Sequence, residues 1–172
     1  MKNIIALLFS FLLVGVVTAE NSAQPIPGSL TNLDERYGFR DLKFEQSFQS
    51  CSGMVVIEED GDMKFCTRKN DSLQMAGAKL KSIEYGFYRN QFANITVIAA
   101  TEFDGEMLLK SLEADYGPGR KAPRNITKFY WFGQKVLVDY TSTGTGSASF
   151  GMWSKPLQTL RQSQKEDKAH RD

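Results

Sequence analysis

Histidine is nearly missing from this chain: of 172 residues only His170, close to the C-terminus, is one. Its absence from the body of the chain removes the commonest general base together with the commonest metal ligand. Ser-His-Asp and Cys-His nucleophile templates and His-based metal centres therefore have no candidate, and no metal ligand set is assigned. Cysteine is almost as scarce, with Cys51 and Cys66 alone. An excess of one charge is lacking too: 21 Lys and Arg face 20 Asp and Glu, and once Lys2 is discounted with the leader below, 20 face 20. That balance provides no basic field for nucleic acid or an anionic membrane. No second long apolar run follows residue 19.

The one apolar run is at the start. Lys2 precedes an almost unbroken hydrocarbon stretch from Ile4 to Val17, and Val17-Thr18-Ala19 offers small residues before Glu20. This order predicts a secretory signal peptide over 1–19, cleaved after Ala19. The run is shorter than the roughly 20 residues a bilayer span needs, and no lipid-attachment Cys follows it. The expected product is a soluble periplasmic or secreted protein with no membrane span after cleavage.

Residues 20–32 hold two prolines and a glycine without periodicity, which predicts a flexible leader. A single domain is expected over 33–156, a size that can bury a core without metals or many disulfides. The segment 157–172 is charged, with Arg161, Lys165, Lys168 and Arg171 among its residues, and predicts a solvated helical tail.

Strand-like alternation recurs at 39–44, 54–59, 63–68, 82–89, 92–100, 126–132, 136–141 and 148–154. Short joints at Asp60-Gly61, Asn90-Gln91 and Gly133-Gln134 force antiparallel neighbours, because a parallel connection needs a crossover of a dozen residues or more. Ile83, Tyr85 and Phe87 share one strand face, as do Val136, Val138 and Tyr140, and Ala148, Phe150 and Met152. One segment changes period: Phe103, Met107, Leu108, Leu112 and Tyr116 form a helical stripe, Thr101 can cap it, and Gly117-Pro118 stops it. The fold class expected is α+β, an antiparallel sheet of about six to eight strands built from hairpins with one main helix, about 102–116, on a face.

An oxidising compartment favours a disulfide between Cys51 and Cys66. A hairpin turning at Asp60-Gly61 places Cys66 opposite Val55, leaving Cys51 about 13 Å along the ladder, too far for a direct cross-strand bridge. The disulfide thus requires Phe48–Gly53 to fold back over the hairpin as a short helix or loop; two buried thiols are the alternative.

Three further stretches invite chemistry. Glu58-Glu59-Asp60-Gly61-Asp62 is densely acidic but lacks the ligand order of a calcium loop and reads as a solvated hairpin. Gly144-Thr145-Gly146 joins two strands with no helix behind it, so it cannot cradle phosphate in the usual way, and no cofactor is expected. Gly117 to Arg124 is a basic loop that reads as an exposed connection.

Tyr37-Gly-Phe-Arg-Asp-Leu-Lys-Phe44, Ala78-Lys-Leu-Lys-Ser-Ile-Glu-Tyr-Gly-Phe-Tyr88 and Phe129-Tyr-Trp-Phe-Gly133 together resemble a group of small exported bacterial proteins with no assigned activity. Members usually carry Gly after the Asp-Leu-Lys-Phe run, where this chain has Glu45. The resemblance implies an extracytoplasmic α+β module and transfers no active-site residue. The function expected is a non-enzymatic binding or interaction module of the bacterial envelope, contacting a protein, peptide or polymer through a sheet face or an exposed edge, with Tyr88, Trp131, Phe132 and Trp153 as candidate contact residues. A carboxylate-dependent hydrolase of a wall or carbohydrate polymer, using residues such as Glu84, Glu113, Asp115 and Asp139, is the competing expectation.

Overall fold

A computed structural model describes residues 28–123, 127–144 and 148–169. The segment read as an export signal, most of the leader and His170 lie outside the described residues. The fold is α+β: among the described residues three helices accompany a nine-stranded, wholly antiparallel sheet and a two-stranded ribbon.

Helix α1, Leu30–Arg36, starts inside the stretch expected to be leader. The Ser29 hydroxyl caps it by accepting from the Asn32 amide at 3.3 Å, and Asn32 and Leu33 are buried. Two turns of helix with one buried aliphatic residue carry too little periodicity to show in the sequence. The run expected as one strand over 39–44 is instead the ribbon β1, Gly38–Phe39, with β2, Leu42–Lys43, followed by a 3-10 turn at Phe48–Ser50.

The large sheet is built from β3 (Met54–Asp60), β4 (Met63–Arg68), β5 (Gln74–Met75), β6 (Ala78–Tyr88), β7 (Gln91–Ala99), β8 (Arg120–Lys121), β9 (Thr127–Phe132), β10 (Val136–Ser142) and β11 (Ala148–Ser154). Its order is β3-β4-β6-β7-β11-β10-β9-β8, with β5 added to β6. The three hairpins form between the expected strands, with each turn shifted by one residue. Asp60 pairs with Met63, so the first turn is Gly61-Asp62, and Tyr88 pairs with Gln91, so the next is Arg89-Asn90. Gly133 bonds to Val136, so the turn read as Gly133-Gln134 is Gln134-Lys135. Arg89 and Asn90 both have positive φ, 48° and 60°, the signature of the turn whose twist matches a right-handed hairpin.

The three aliphatic-aromatic faces expected from the sequence all enter one core cluster. Half of that inner face is covered by α2, Glu102–Tyr116, which the sequence located to the residue. Thr101 caps it, accepting from the Asp104 amide at 3.1 Å, while Asp104 in turn accepts from the Lys79 amide at 2.8 Å and so ties the helix start to β6. Gly105 lets the helix approach β11: a Cβ there would lie 2.3 Å from the Ala148 Cβ. Leu108, Leu112 and Tyr116 are buried as expected, but Phe103 is 70% exposed, because in the first turn it is Asp104 and Gly105 that face the sheet.

The other half of the inner face is covered by the segment from α1 to Cys51. Phe44 stacks on Phe92 at 5.0 Å, Phe48 meets the edge of Phe87 at 5.1 Å, and Phe39 packs between Tyr85 and Phe150. The C-terminal segment expected as a solvated helical tail is helix α3, Lys155–Ala169, exposed over most of its length but anchored where Leu157 packs with Met63, Tyr88 and Ala93 on the opposite face of the sheet.

Candidate functional site

The four aromatic residues proposed as contacts part company. Trp131 is buried, its indole Nε1 donating to the Gly117 carbonyl at 2.7 Å, and thus closes the core beside the end of α2. Tyr88 is buried beneath α3 with its hydroxyl bonded to Gln164. Neither ring is available to a partner, which corrects their assignment: each sits on a sheet position that a helix or its terminal loop covers, a tertiary fact that strand alternation cannot reveal. Phe132 is 50% exposed and Trp153 half-buried. These two share a cross-strand row, since Phe132 pairs with Leu137 and Leu137 with Trp153. Tyr130 stacks on Phe132 at 5.5 Å, and the Trp153 ring lies over Gly151, where a Cβ would fall 2.0 Å from it.

Glu84 and Asp139 occupy another row of this outer face, linked through Thr96 and Gly151. Three strand spacings separate them, about 14 Å, beyond the roughly 5–9.5 Å that paired-carboxylate glycoside chemistry uses. Asp139 is ion-paired to Lys128 at 3.3 Å. Glu113 and Asp115 lie on α2 across the sheet, and Asp115 pairs with Arg36 at 2.9 Å.

The disulfide expected between Cys51 and Cys66 is not formed; both are buried free thiols. The segment 48–53 does fold back as the bridge required, but the Cys51 Sγ is turned to donate to the Ser47 carbonyl at 3.3 Å. Burial pushes both thiols above their ordinary pKa, which keeps them protonated and poor nucleophiles.

The feature that sequence reading missed is the edge of the sheet. β3 pairs with β4 on one side and ends the strand order on the other. Val55, Val56 and Ile57 are 37%, 38% and 56% exposed, three consecutive aliphatic residues on a strand with one open side. The register steps at Ile57, between Val56 opposite Cys66 and Glu58 opposite Phe65, so Cys66 lies opposite Val56 and not Val55. Past that bulge the strand turns acidic with Glu58, Glu59 and Asp60; Lys64 pairs with Glu59 at 3.7 Å, while Glu58 and Asp60 have no ion-pair partner among the described residues. An apolar half and an acidic half thus share one open backbone. The available signal was Val55-Val56-Ile57 itself, which reads as a core strand unless the strand is known to be an edge.

No helix among the described residues is long and apolar enough to cross a membrane. No protein-family model, no curated protein and no solved structure matches this chain.

Proposed function

We propose that this protein is an exported, non-enzymatic binding module of the bacterial envelope that captures an extended segment of a partner protein along β3. The single observation that carries the reading is the run Val55-Val56-Ile57, solvent-exposed on a strand whose outer hydrogen-bonding side is open. Natural proteins blunt such edges, since unpaired strand amides and carbonyls beside apolar side chains recruit further strands. Here the bulge at Ile57 and the acidic half supply only partial protection.

The charge pattern selects the occupant. A second copy aligned antiparallel on β3 would set Val55 and Val56 against Glu59 and Glu58, mismatching the two halves. A partner strand with basic residues preceding a β-branched run would, in antiparallel alignment, place cations against Glu58 to Asp60 and aliphatic residues against Val55 to Ile57. The partner is therefore an extended basic-then-apolar peptide segment. The half-buried Trp153 row is the weaker surface, since only Phe132 there is largely exposed.

Selection of displayed random peptides on the purified protein, followed by backbone-amide NMR mapping, tests this. Basic-then-apolar peptides are expected, shifting β3 amides and losing about tenfold or more in affinity on Val55→Lys/Ile57→Lys or on Glu58→Lys/Asp60→Lys, all at exposed positions. Peptides that map to the Trp153 face, or that ignore both double variants, would overturn the reading. So would a dimer, seen by sedimentation, that Val55→Lys/Ile57→Lys dissolves.

A further inference from the structure

A cavity of about 310 Å³ opens where α1 and the β1–β2 ribbon meet α2, and its strand-borne lining from the large sheet comes from β5 and β11, not from β3. Its rim is basic, formed by Arg36, Arg40 and Lys43, and no acidic residue lines it. Its floor is apolar and reaches the core: Leu112, Tyr116 and Met152 are buried, and Phe39 and Met75 complete the wall. A cationic rim over an apolar floor is the layout of a site for an amphipathic anion.

The charges around the rim do not cancel. Arg36 reaches Asp115 at 2.9 Å and lies 5.8 Å from the Tyr116 ring centroid. Arg40 is bonded to Asp71 and donates to the carbonyls of Ser72 at 2.7 Å and Gln74 at 3.1 Å, so its guanidinium is held in place. Lys43 donates to the Arg36 carbonyl at 2.6 Å and has no carboxylate within ion-pair distance among the described residues. Three cations against two carboxylates leave one positive charge uncompensated at the mouth, which calls for a singly charged ligand. At interior packing density a cavity of this volume holds a chain of about eight to ten carbons.

We propose that this cavity binds a small amphipathic carboxylate, a medium-chain fatty acid or an aryl-alkyl acid, with its carboxylate at Lys43 and Arg36 and its apolar body against Met75, Leu112 and Met152. The site is independent of the β3 edge, so either reading can fail without the other.

The experiment is methionine-methyl NMR of the purified protein titrated with octanoate, octanol and octyl phosphate. Octanoate is expected to shift the Met75 and Met152 methyls saturably, with octanol at least about tenfold weaker and octyl phosphate weaker than octanoate. Lys43→Gln, at an exposed position, is expected to lower octanoate affinity about tenfold without altering octanol binding. No shift at these methyls with octanoate would overturn the proposal, as would equal binding of octanol. Tighter binding of octyl phosphate would overturn the carboxylate assignment.

Discussion

Asp34 and Gly133 sit about a hundred residues apart and make one joint, and a double-mutant cycle on them measures how the N-terminal helix is locked to the sheet. The Asp34 carboxylate accepts from three successive backbone amides in the β9–β10 turn: Gln134 at 2.6 Å and Lys135 at 2.7 Å, with Val136 at 3.0 Å. Hydrogen bonds to a charged group contribute about 1.5–3 kcal/mol each, but water can replace part of this at a half-exposed turn, so Asp34→Ala is expected to cost about 2–3 kcal/mol. Gly133 faces the same carboxylate. A Cβ at Gly133 would lie 2.4 Å from Asp34 Oδ1, well inside contact distance, and its φ is not in the left-handed region, so the carboxylate is what obstructs alanine there.

Gly133→Ala in the natural sequence must push the carboxylate off the three amides and is expected to cost about 1–3 kcal/mol. With Asp34 already replaced by Ala the obstruction is gone, and the same substitution should be close to neutral or stabilise by about 0.4–1 kcal/mol through the unfolded state. The two costs therefore overlap, with an expected coupling of about 1–4 kcal/mol. Urea unfolding followed by tryptophan fluorescence for the four proteins reads the cycle. Costs that add to within about 0.5 kcal/mol would refute the reasoning, since they would mean Gly133 and the carboxylate do not compete for one space.

Glu45 has φ +68°, a backbone conformation that favours glycine, and its side chain compensates by accepting from the Tyr37 hydroxyl. Glu45→Gly is expected to leave stability unchanged or raise it by up to about 1 kcal/mol, while Glu45→Ala, which keeps the strain and loses the bond, lowers it by about 1 kcal/mol in the same urea assay; equal effects of the two would contradict this. Alkaline pH acts through tyrosine: burial, aided by the Glu45 contact, pushes Tyr37 up to about 12, and burial also raises Tyr85, Tyr116 and Tyr140. Because the fold favours the neutral phenols, their contribution is complete below the unfolded value of about 10 and is lost as pH rises from there through the folded values. Urea midpoints should hold below about pH 10 and fall steeply above it, with tyrosinate absorbance appearing in step with unfolding; midpoints unchanged at about pH 11.5 would exclude this coupling.

Legibility followed the length of the pattern. β11 and α2 were bounded to the residue by seven and fifteen residues of sustained periodicity, and the inward faces at Ile83-Tyr85-Phe87 and Val136-Val138-Tyr140 were read correctly. Where an element is short, tertiary contact decides it. The run 39–44 alternates like a strand, yet Arg40 takes φ +56° and the chain turns back, because a Cβ at Gly38 would lie 2.1 Å from the Leu42 carbonyl oxygen and only glycine permits that approach. The acidic hairpin was legible but the edge position of its first strand was not, because burial is a property of a strand's place in the sheet and not of its own residues. The basic cavity was wholly hidden: Arg36, Arg40 and Lys43 are close in sequence, but Met75, Leu112 and Met152 reach it from three distant elements.

Both proposed sites follow from one mismatch of dimensions. Eight strands side by side span about 34 Å, whereas a fifteen-residue helix is about 22 Å long, so α2 cannot cover the inner face alone. It contacts β6, β7, β10 and β11, and the segment from α1 to Cys51 lays Phe39, Phe44 and Phe48 over the remaining part of the same strands. Two covering pieces of different shape meet along a seam, and the cavity lined by Phe39 from one piece and Leu112 from the other lies on it. Cover ends at Cys51, which packs in the core cluster with Cys66 of β4, one strand short of the sheet edge. β3 is consequently left with only Met54 against the core, and Val55, Val56 and Ile57 remain exposed.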